Sequence, residues 1–451
     1  SPFKVDESYL SKHDIVYFSP TQLEAEGFPM GNGNIGGMIW NNDNGIELQI
    51  NKNDLWSKPD KEENDLSVLK HAARLKIDFG IPVFSWIHLK NFEGRLSLQK
   101  GETTYKAATP YSTTTIRTWL AHDRNVWILE CENLPNEELT GAKQKATVSL
   151  ERLGSRSFSG WYAGRFPKDP KIGIGKTQSL LNGNDMIIEE NGDGLHFAVA
   201  CRIIKEPASP VIINSHRMEQ KTVKNKFTVL ISVVTDRENK APVEAARRLL
   251  DEAETDGIEQ LKADKDNWYK NFWSNAFMKL GDDYLENIYY LRRYLMAAGS
   301  QGEFPVAFNG GLWRWNRDVM NWVTPHHWNT QQQYWGLCAQ NDCQLMAPYL
   351  DTYFKMIPSG ETLAKEYGAS DDALLITEAH CFTGEQTGKD REDMRNNFTP
   401  ASQIASLFWD YYAFTGDKDF LKSKAYVFMK KAANFYLEKL QWDAEKKEFY
   451  F

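Results

Sequence analysis

Short segments in which apolar and polar residues alternate fill the first half of the chain. From Phe28 to about Thr235 they are separated by clusters of Gly, Asn and Asp. Alternation with a period of two puts the apolar side chains on one face of a strand, and the separating residues tolerate the backbone angles of tight turns. So many strands in succession predict an N-terminal antiparallel β-sandwich over residues 1–240.

The apolar period changes near Pro242. From there to about Leu280 apolar residues recur at helical spacing without a turn cluster, which predicts a helical linker over residues 241–283. Residues 284–451 show four or five further helices, and Gly416 followed by Asp417 predicts a helix stop and a new N-cap. So few helices would leave apolar faces exposed, so we expect either a longer protein or a partner that covers them.

Charge and composition exclude several classes of protein. The chain has 53 Lys and Arg against 61 Asp and Glu, a net charge of -8, without a basic stripe, so no nucleic-acid partner is expected. No apolar run approaches the roughly 20 residues of a membrane span, so none is predicted. The five cysteines are too few and too scattered for a disulfide framework, which favours buried free thiols.

Aromatic residues are the compositional excess, at 13% of the chain with 15 Trp. Flat apolar rings suit the C–H faces of sugars, and the indole N–H can still bond a hydroxyl. Carbohydrate binding is one interpretation, and a well-packed aromatic core is the other.

Residues 304–318 form a predicted loop that mixes aromatic and polar side chains. Such a mixture makes a poor core and a good sugar subsite. The alternative is a structural loop held by arginine–carboxylate pairs. The candidate substrate-binding residues here are Asn309, Trp313, Trp315, Arg317 and Asp318.

Two later segments carry candidate catalytic groups. Residues 324–335 open a helix with His327 and Asn329, and Trp335 is a candidate substrate contact. Glu378 stands two residues before His380, a candidate substrate contact, in an aromatic setting that suits proton transfer, although a solvated loop is the competing interpretation. No ligand quartet accompanies the histidines, and no phosphate-binding loop or nucleophile elbow is present, so neither a metal nor a cofactor is expected.

Three blocks of the chain are similar to glycoside hydrolase family 95, the inverting α-L-fucosidases and α-L-galactosidases. The first is FPMGNGNIGGM at residues 28–38 with ELQINKNDLWS at 47–57. The second is PVAFNGGLW at 305–313 with WNTQQQYW at 328–335, and the third is YYAFTGDKDFL at 411–421 with AANFYL at 432–437. The blocks occur in the family's order along the whole chain.

This resemblance implies a multidomain β + α fold: a supersandwich, a helical linker and an (α/α)6 barrel of which residues 284–451 are the first part. In the family two Asn residues, one apart, hold the attacking water, backed by an Asp, and a Glu protonates the leaving oxygen. Asn329 matches the second Asn, whereas His327 departs from the first. The resemblance places the family's Glu and Asp beyond Phe451. His327 is then either the base or a subsite residue.

The resemblance therefore implies an inverting glycoside hydrolase that removes a terminal α-L-fucose, α-L-galactose or related sugar from an oligosaccharide or polysaccharide. Two alternatives stay open. A polysaccharide lyase would use His327, Asn329 and Tyr334, and a glycan-binding protein would lack catalysis. Family members are commonly exported bacterial enzymes, which implies a periplasmic or secreted protein whose signal peptide has been removed. The oligomeric state is not predicted.

Overall fold

The computed structural model describes residues 7–57, 68–140, 145–154, 176–192, 194–207, 209–306, 310–313, 316–320, 327–380, 384 and 396–450. The chain forms two compact units. The first comprises Ser1–Asp60, Val68–Gly299 and Leu312–Met320, and the second Lys61–Ser67, Ser300–Gly311 and Asn321–Phe451. The helices that the sequence places in a linker thus fold with the β-rich unit, as does the helix that ends at Gly299.

Strands dominate the first unit. They are β1 Ile15–Tyr17, β2 Phe28–Gly31, β3 Ile35–Asn42, β4 Gly45–Lys52, β5 Trp56–Ser57, β6 Val68–Leu69, β7 Ala73–Asp78, β8 Asn91–Ser97, β9 Glu102–Ala108, β10 Ser112–Leu120, β11 Val126–Pro135, β12 Thr147–Glu151, β13 Thr177–Asn182, β14 Asp185–Gly192, β15 Leu195–Ile204, β16 Val211–Asn214, β17 Arg217–Lys221, β18 Lys226–Thr235 and β19 Val319–Met320.

These strands build two large sheets and a small one. The nine-stranded sheet has the order β1-β8-β9-β10-β11-β18-β15-β14-β13, and the seven-stranded sheet the order β16-β17-β12-β7-β4-β3-β2. A third sheet, β19-β6-β5, joins a late segment to two early ones. Every pairing among these strands is antiparallel, which confirms the predicted β architecture.

The helices of this unit are α1 Glu7–Leu10, α2 Glu137–Thr140, α3 Pro242–Asp256, α4 Ile258–Ser274 and α5 Asp283–Gly299. The apolar face of α3, with Ala246 and Leu250, packs in one cluster with Ala198 of β15 and Leu230 of β18. Strands covered on both faces lose the alternation of a half-exposed sheet. This is why β15 is buried along almost its whole length.

The second unit is mainly helical. Its elements are α6 His327–Gln332, α7 Ala347–Lys355, α8 Ile357–Glu366, α9 Pro400–Thr415, α10 Lys418–Phe420, a π-helical segment Leu421–Ala425, α11 Tyr426–Lys439, and a hairpin of β20 Gln441–Asp443 with β21 Glu448–Tyr450. Gly416 ends α9 in the left-handed conformation, and Asp417 caps α10 by accepting a hydrogen bond from the Phe420 N–H. Both features confirm the predicted helix stop and N-cap.

Membrane spans are absent from the part of the chain that the structure describes, since none of its helices combines the necessary length with sufficient apolarity.

Candidate functional site

The start of α6 lies against Glu378. The first N–H groups of a helix have no partner within the helix, and here Glu378 supplies partners for two of them. The His327 N–H donates to the Glu378 carbonyl oxygen at 3.0 Å, and the Trp328 N–H donates to Glu378 Oε1 at 2.9 Å. Asn397 Nδ2 donates to Glu378 Oε2 at 3.3 Å. Both carboxylate oxygens therefore accept hydrogen bonds, which is the pattern of an ionised carboxylate.

His327 is anchored to the neighbouring helix α9. Its side chain is 1% exposed, and its Nε2 lies 2.8 Å from Gln403 Oε1. Gln331, one helical turn later on the same face, donates from Nε2 to the same oxygen at 2.9 Å. Because an amide oxygen only accepts, this arrangement places the ring proton of His327 on Nε2. The group formed by His327, Asn329, Glu378 and Gln403 is termed the α6 site below.

Asn329 is the candidate ligand-binding residue of the α6 site. Its side chain is partly exposed, between the exposed Trp328 and the fully buried Thr330. Among the described residues the Asn329 side chain makes no hydrogen bond, so both its N–H donor and its carbonyl acceptor remain available. An amide with both functions can hold a water or a sugar hydroxyl.

Trp328 on α6 and Trp335, which follows this helix, form an exposed aromatic pair. Trp328 is 44% exposed and Trp335 is 50% exposed, and their ring centroids lie 5.3 Å apart at an interplanar angle of 84°. Exposed indoles in an edge-to-face pair offer a flat face to a sugar ring. Trp335 was expected from the sequence, whereas Trp328 was missed. Its position between His327 and Asn329 was the signal that could have identified it.

His380 lies in the core beneath the α6 site. It is buried, its Nδ1 is 3.0 Å from the Thr377 carbonyl oxygen, and its ring meets Tyr353 edge-on at 5.5 Å. Burial raises the pKa of Tyr353, and the negative charge of Glu378 raises it further. Tyr353 therefore stays neutral next to the Glu378 carboxylate.

Tyr334 is fully buried and committed to structural hydrogen bonds. Its hydroxyl oxygen accepts from the Val306 N–H at 2.9 Å and lies 2.8 Å from Ser300 Oγ. Burial raises the pKa of its phenol well above the ordinary value. This geometry disfavours the acid–base role that a lyase would ask of Tyr334.

Trp313, Arg317 and Asp318 fall in the first unit. Trp313 donates from Nε1 to the Met30 carbonyl oxygen at 2.9 Å and is partly buried, and Arg317 is partly buried as well. Their proposed contact with substrate remains a prediction. Asn309 and Trp315 lie outside the described residues.

Asp318 has a structural environment rather than that of a substrate contact. Its side chain is 2% exposed and belongs to a buried ionic cluster with Lys70, Arg152 and Glu190. Asp318 Oδ2 accepts from Arg152 Nη2 at 2.7 Å, and Oδ1 accepts from the His71 N–H at 2.9 Å. Because burial and these bonds leave no accessible carboxylate oxygen, the sequence-based assignment of Asp318 as a sugar ligand is corrected.

Lys70, Arg152 and Glu190 complete the charge balance of this buried ionic cluster. Arg152 Nε donates to Glu190 Oε2 at 2.9 Å, and Lys70 Nζ lies 3.2 Å from Glu190 Oε1. Burial opposes ionisation of Glu190, but the positive charges of Arg152 and Lys70 outweigh it and lower the pKa of this carboxyl. The cluster pairs two cations with two anions, as a buried charged group requires.

Within the described ranges, no three His, Cys, Asp or Glu side chains come together in a way that could hold a metal ion.

Similarity to known proteins covers most of the chain. Residues 239–451 match the glycosyl hydrolase family 95 catalytic domain, and residues 16–156 match a domain of unknown function (DUF5703). A protein of Arabidopsis thaliana named Alpha-L-fucosidase 2 is 28% identical over 160 residues, which are 34% of this chain and 18% of that protein. The match thus covers less than a fifth of that relative's length.

A solved structure supports the fold. It is described as a candidate kojibiose phosphorylase from the human microbiome, and it aligns with a TM-score of 0.67 at 12% identity over 98% of this chain and 61% of that chain. At this identity the likeness concerns the fold alone, in which β-sheets precede a helical region. The match of residues 239–451 to the family 95 catalytic domain shows that the chain is family 95-like over that part.

Proposed function

We propose that the protein is a glycoside hydrolase that inverts the anomeric centre and removes a terminal α-L-fucose, α-L-galactose or related sugar from an oligosaccharide or polysaccharide. The observation that carries this proposal is the match of residues 239–451 to the family 95 catalytic domain. The α-L-fucosidase name of the curated relative supports the choice of sugar. The exposed Trp328–Trp335 pair provides a surface suited to a carbohydrate.

In this proposal Asn329 positions the attacking water. An inverting hydrolase activates a water on the face of the sugar opposite the leaving group. The amide of Asn329 can accept a hydrogen bond from that water through its oxygen and bond a sugar hydroxyl through its N–H. The Glu378 carboxylate, held at the start of α6, fixes the backbone next to Asn329 and adds negative charge near the water.

In this proposal the hydrogen bonds and burial of each residue decide whether it can accept or donate a proton. Both oxygens of Glu378 accept N–H hydrogen bonds, so Glu378 suits a base or an orienting group better than an acid. In family 95 a Glu protonates the leaving oxygen, and we assign that role to none of the residues named here. Because His327 is buried and bonded to Gln403, we assign it the positioning of α6 rather than contact with the water.

The substitution Asn329→Ala tests this assignment. If Asn329 holds the water mainly in the transition state, the variant loses kcat with little change in KM. Loss of one preorganised hydrogen bond costs on the order of 3 kcal/mol, about a hundredfold in rate. Steady-state kinetics on an aryl α-L-fucoside and an aryl α-L-galactoside measure the effect.

Gln332→Ala is the matched control for this experiment. Gln332 is an exposed residue of the same helix, so its loss should leave kcat and KM unchanged. Equal kinetics for Asn329→Ala and the wild type would remove Asn329 from the mechanism.

A glycan-binding protein without catalysis is the second candidate function. The observation that favours it is the exposed pair of Trp328 and Trp335, which could bind a sugar whether or not hydrolysis follows. Glycan binding that is abolished by Trp328→Ala, in a protein that cleaves no glycoside, would support this candidate over the hydrolase.

We also propose a periplasmic or secreted location in a bacterium, since the family resemblance favours exported enzymes. Cell fractionation with an antibody against the protein tests it, and recovery in the cytoplasm alone would contradict it.

A further inference from the structure

Asn397 precedes α9 and bonds the backbone just ahead of that helix. Its side-chain Oδ1 accepts hydrogen bonds from the Thr399 hydroxyl at 2.8 Å and from the Thr399 N–H at 3.3 Å. A bond from an Asn side chain to the N–H two positions later forms an Asx turn, a conformation that competes with helix and suits a helix start. The acceptor of Asn397 thus helps to define the start of α9 at Pro400.

The donor of the same amide bonds Glu378. Asn397 Nδ2 donates to Glu378 Oε2 at 3.3 Å, while Glu378 Oε1 accepts from the Trp328 N–H at 2.9 Å. A hydrogen bond to an ionised carboxylate is stronger than one between neutral groups. Glu378 is therefore held from two sides, by the backbone of α6 and by the side chain that precedes α9.

Packing of the next residue fixes the backbone that carries Asn397. The ring of Phe398 lies 5.4 Å from that of Tyr367, which follows α8, and 5.7 Å from that of Phe435 on α11. The Phe398 carbonyl oxygen accepts a hydrogen bond from the Tyr436 hydroxyl. A side chain on so well anchored a backbone can orient the group that it bonds.

We propose that Asn397 is a positioning residue for Glu378. Its N–H holds Oε2, so that Oε1 stays on the first turn of α6, close in sequence to Asn329. The negative charge of Glu378 is thereby fixed in direction as well as in place. The catalytic part of this inference rests on the proposed hydrolase, in which Glu378 adds negative charge near the attacking water, whereas the contact between Asn397 and Glu378 does not.

The substitution Asn397→Asp separates positioning from a role confined to the helix start. Asp accepts at such a turn as well as Asn does, so both bonds from Thr399 are kept. The donor to Glu378 is lost, and a second carboxylate takes its place beside the first. We expect the midpoint of thermal unfolding at pH 7 to fall by about 5 °C. We also expect kcat to fall about tenfold with little change in KM, because the charge is misplaced.

Exchange of the two groups tests the contact directly. In the double variant Glu378→Gln, Asn397→Asp, the new amide can donate to the new carboxylate while its oxygen still accepts the Trp328 N–H. We expect this double variant to unfold at a higher temperature than either single variant. Its kcat should stay low, because the carboxylate has moved from position 378.

Asn341→Asp is the matched control, since it makes the same chemical change at an exposed position of the helical unit. Asp also tolerates the left-handed backbone of Asn341, whose φ is 64°. We expect its unfolding midpoint to lie within about 1 °C of the wild type, with unchanged kinetics.

Thermal unfolding and steady-state kinetics on an aryl α-L-fucoside and an aryl α-L-galactoside measure these effects. The proposal is overturned if Asn397→Asp matches the control in stability or in kcat, or if the double variant gains no stability over the single variants. A wild-type protein that cleaves neither substrate would instead count against the proposed hydrolase. The unfolding midpoints would then still decide whether Asn397 holds Glu378.

Discussion

At the scale of single residues, His71 shows how burial converts protonation into stability. Its imidazole is fully buried with Nδ1 3.4 Å from Asn51 Oδ1, and the backbone N–H of His71 donates to Asp318 Oδ1 in the buried ionic cluster. Burial lowers its pKa well below the ordinary 6.5, and the positive charges of Arg152, Arg74 and Arg317 lower it further. The folded protein therefore keeps His71 neutral where the unfolded chain would protonate it.

This difference predicts a pH dependence of stability. Well above pH 6.5 His71 is neutral in both the folded and the unfolded state, and its contribution to the free energy of unfolding does not change with pH. Below that value the unfolded chain binds a proton that the folded protein does not, so stability falls by up to about 1.4 kcal/mol per pH unit. Urea unfolding at several values between pH 7 and pH 5 measures it. In the variant His71→Gln, the part of the pH dependence of stability that comes from His71 should be absent.

The control for the pH experiment is His216→Gln, which removes a partly exposed imidazole of the same unit. We expect its curve to run nearly parallel to that of the wild type. If the His71→Gln curve were also parallel to the wild type, neutral burial of His71 would be contradicted.

At the scale of elements, the buried ionic cluster joins segments that are far apart in sequence. Arg152 follows β12, Glu190 is in β14, and Asp318 precedes β19. Lys70 follows β6, which pairs with β19 in the small sheet. The cluster and this sheet together hold the segment Leu312–Met320 on the β-rich unit.

Replacing Arg152, the central cation of the buried ionic cluster, should release the segment Leu312–Met320 from the β-rich unit. Arg152→Met leaves Glu190 and Asp318 without their shared bonds, and breaking a buried ion pair by deleting one partner costs about 3–5 kcal/mol. Arg217→Met removes a partly exposed arginine that pairs with Glu219 on β17 and should cost less than about 1 kcal/mol. Chemical denaturation of both variants measures the difference, and equal losses would show that the cluster is not what stabilises the segment.

The periodicity of the chain predicted much of this architecture. Strands such as β7 bury alternate residues, and the helix stop at Gly416 uses a residue suited to its left-handed backbone. By contrast, nothing local in the sequence indicates that α3 packs on the nine-stranded sheet, because that contact depends on residues from distant strands. The predicted boundary after the β-sandwich accordingly differs from the division between the two compact units.

The candidate site was predictable only in part, for a similar reason. His327, Asn329 and Glu378 are chemically distinctive types, and the structure brings Glu378 to the first turn of α6. Asp318 is equally distinctive, but its partner Arg152 lies 166 positions away in the chain. Gln403, which holds His327, carried no signal because a single glutamine in a helix is unremarkable until its neighbour is known.

At the scale of the whole molecule, the chain has a β-rich unit and a mainly helical unit, and residues 239–451, which match the family 95 catalytic domain, include the last three helices of the first unit. The α6 site lies entirely within the helical unit. His327 is buried and is held by the partly buried Gln403, whereas Asn329 is partly exposed and Trp328 and Trp335 are exposed. Buried, rigid residues that support a few available polar and aromatic groups are the arrangement expected for sugar recognition.

The central claim is that the protein hydrolyses a glycoside with inversion. Proton NMR during the first minutes of reaction on an aryl α-L-fucoside or α-L-galactoside tests it, because the first anomer released appears before mutarotation. We predict that the β-anomer of the free sugar appears first. Initial release of the α-anomer would contradict inversion, and an unsaturated product or the absence of cleavage across terminal α-L-sugar substrates would contradict the hydrolase itself.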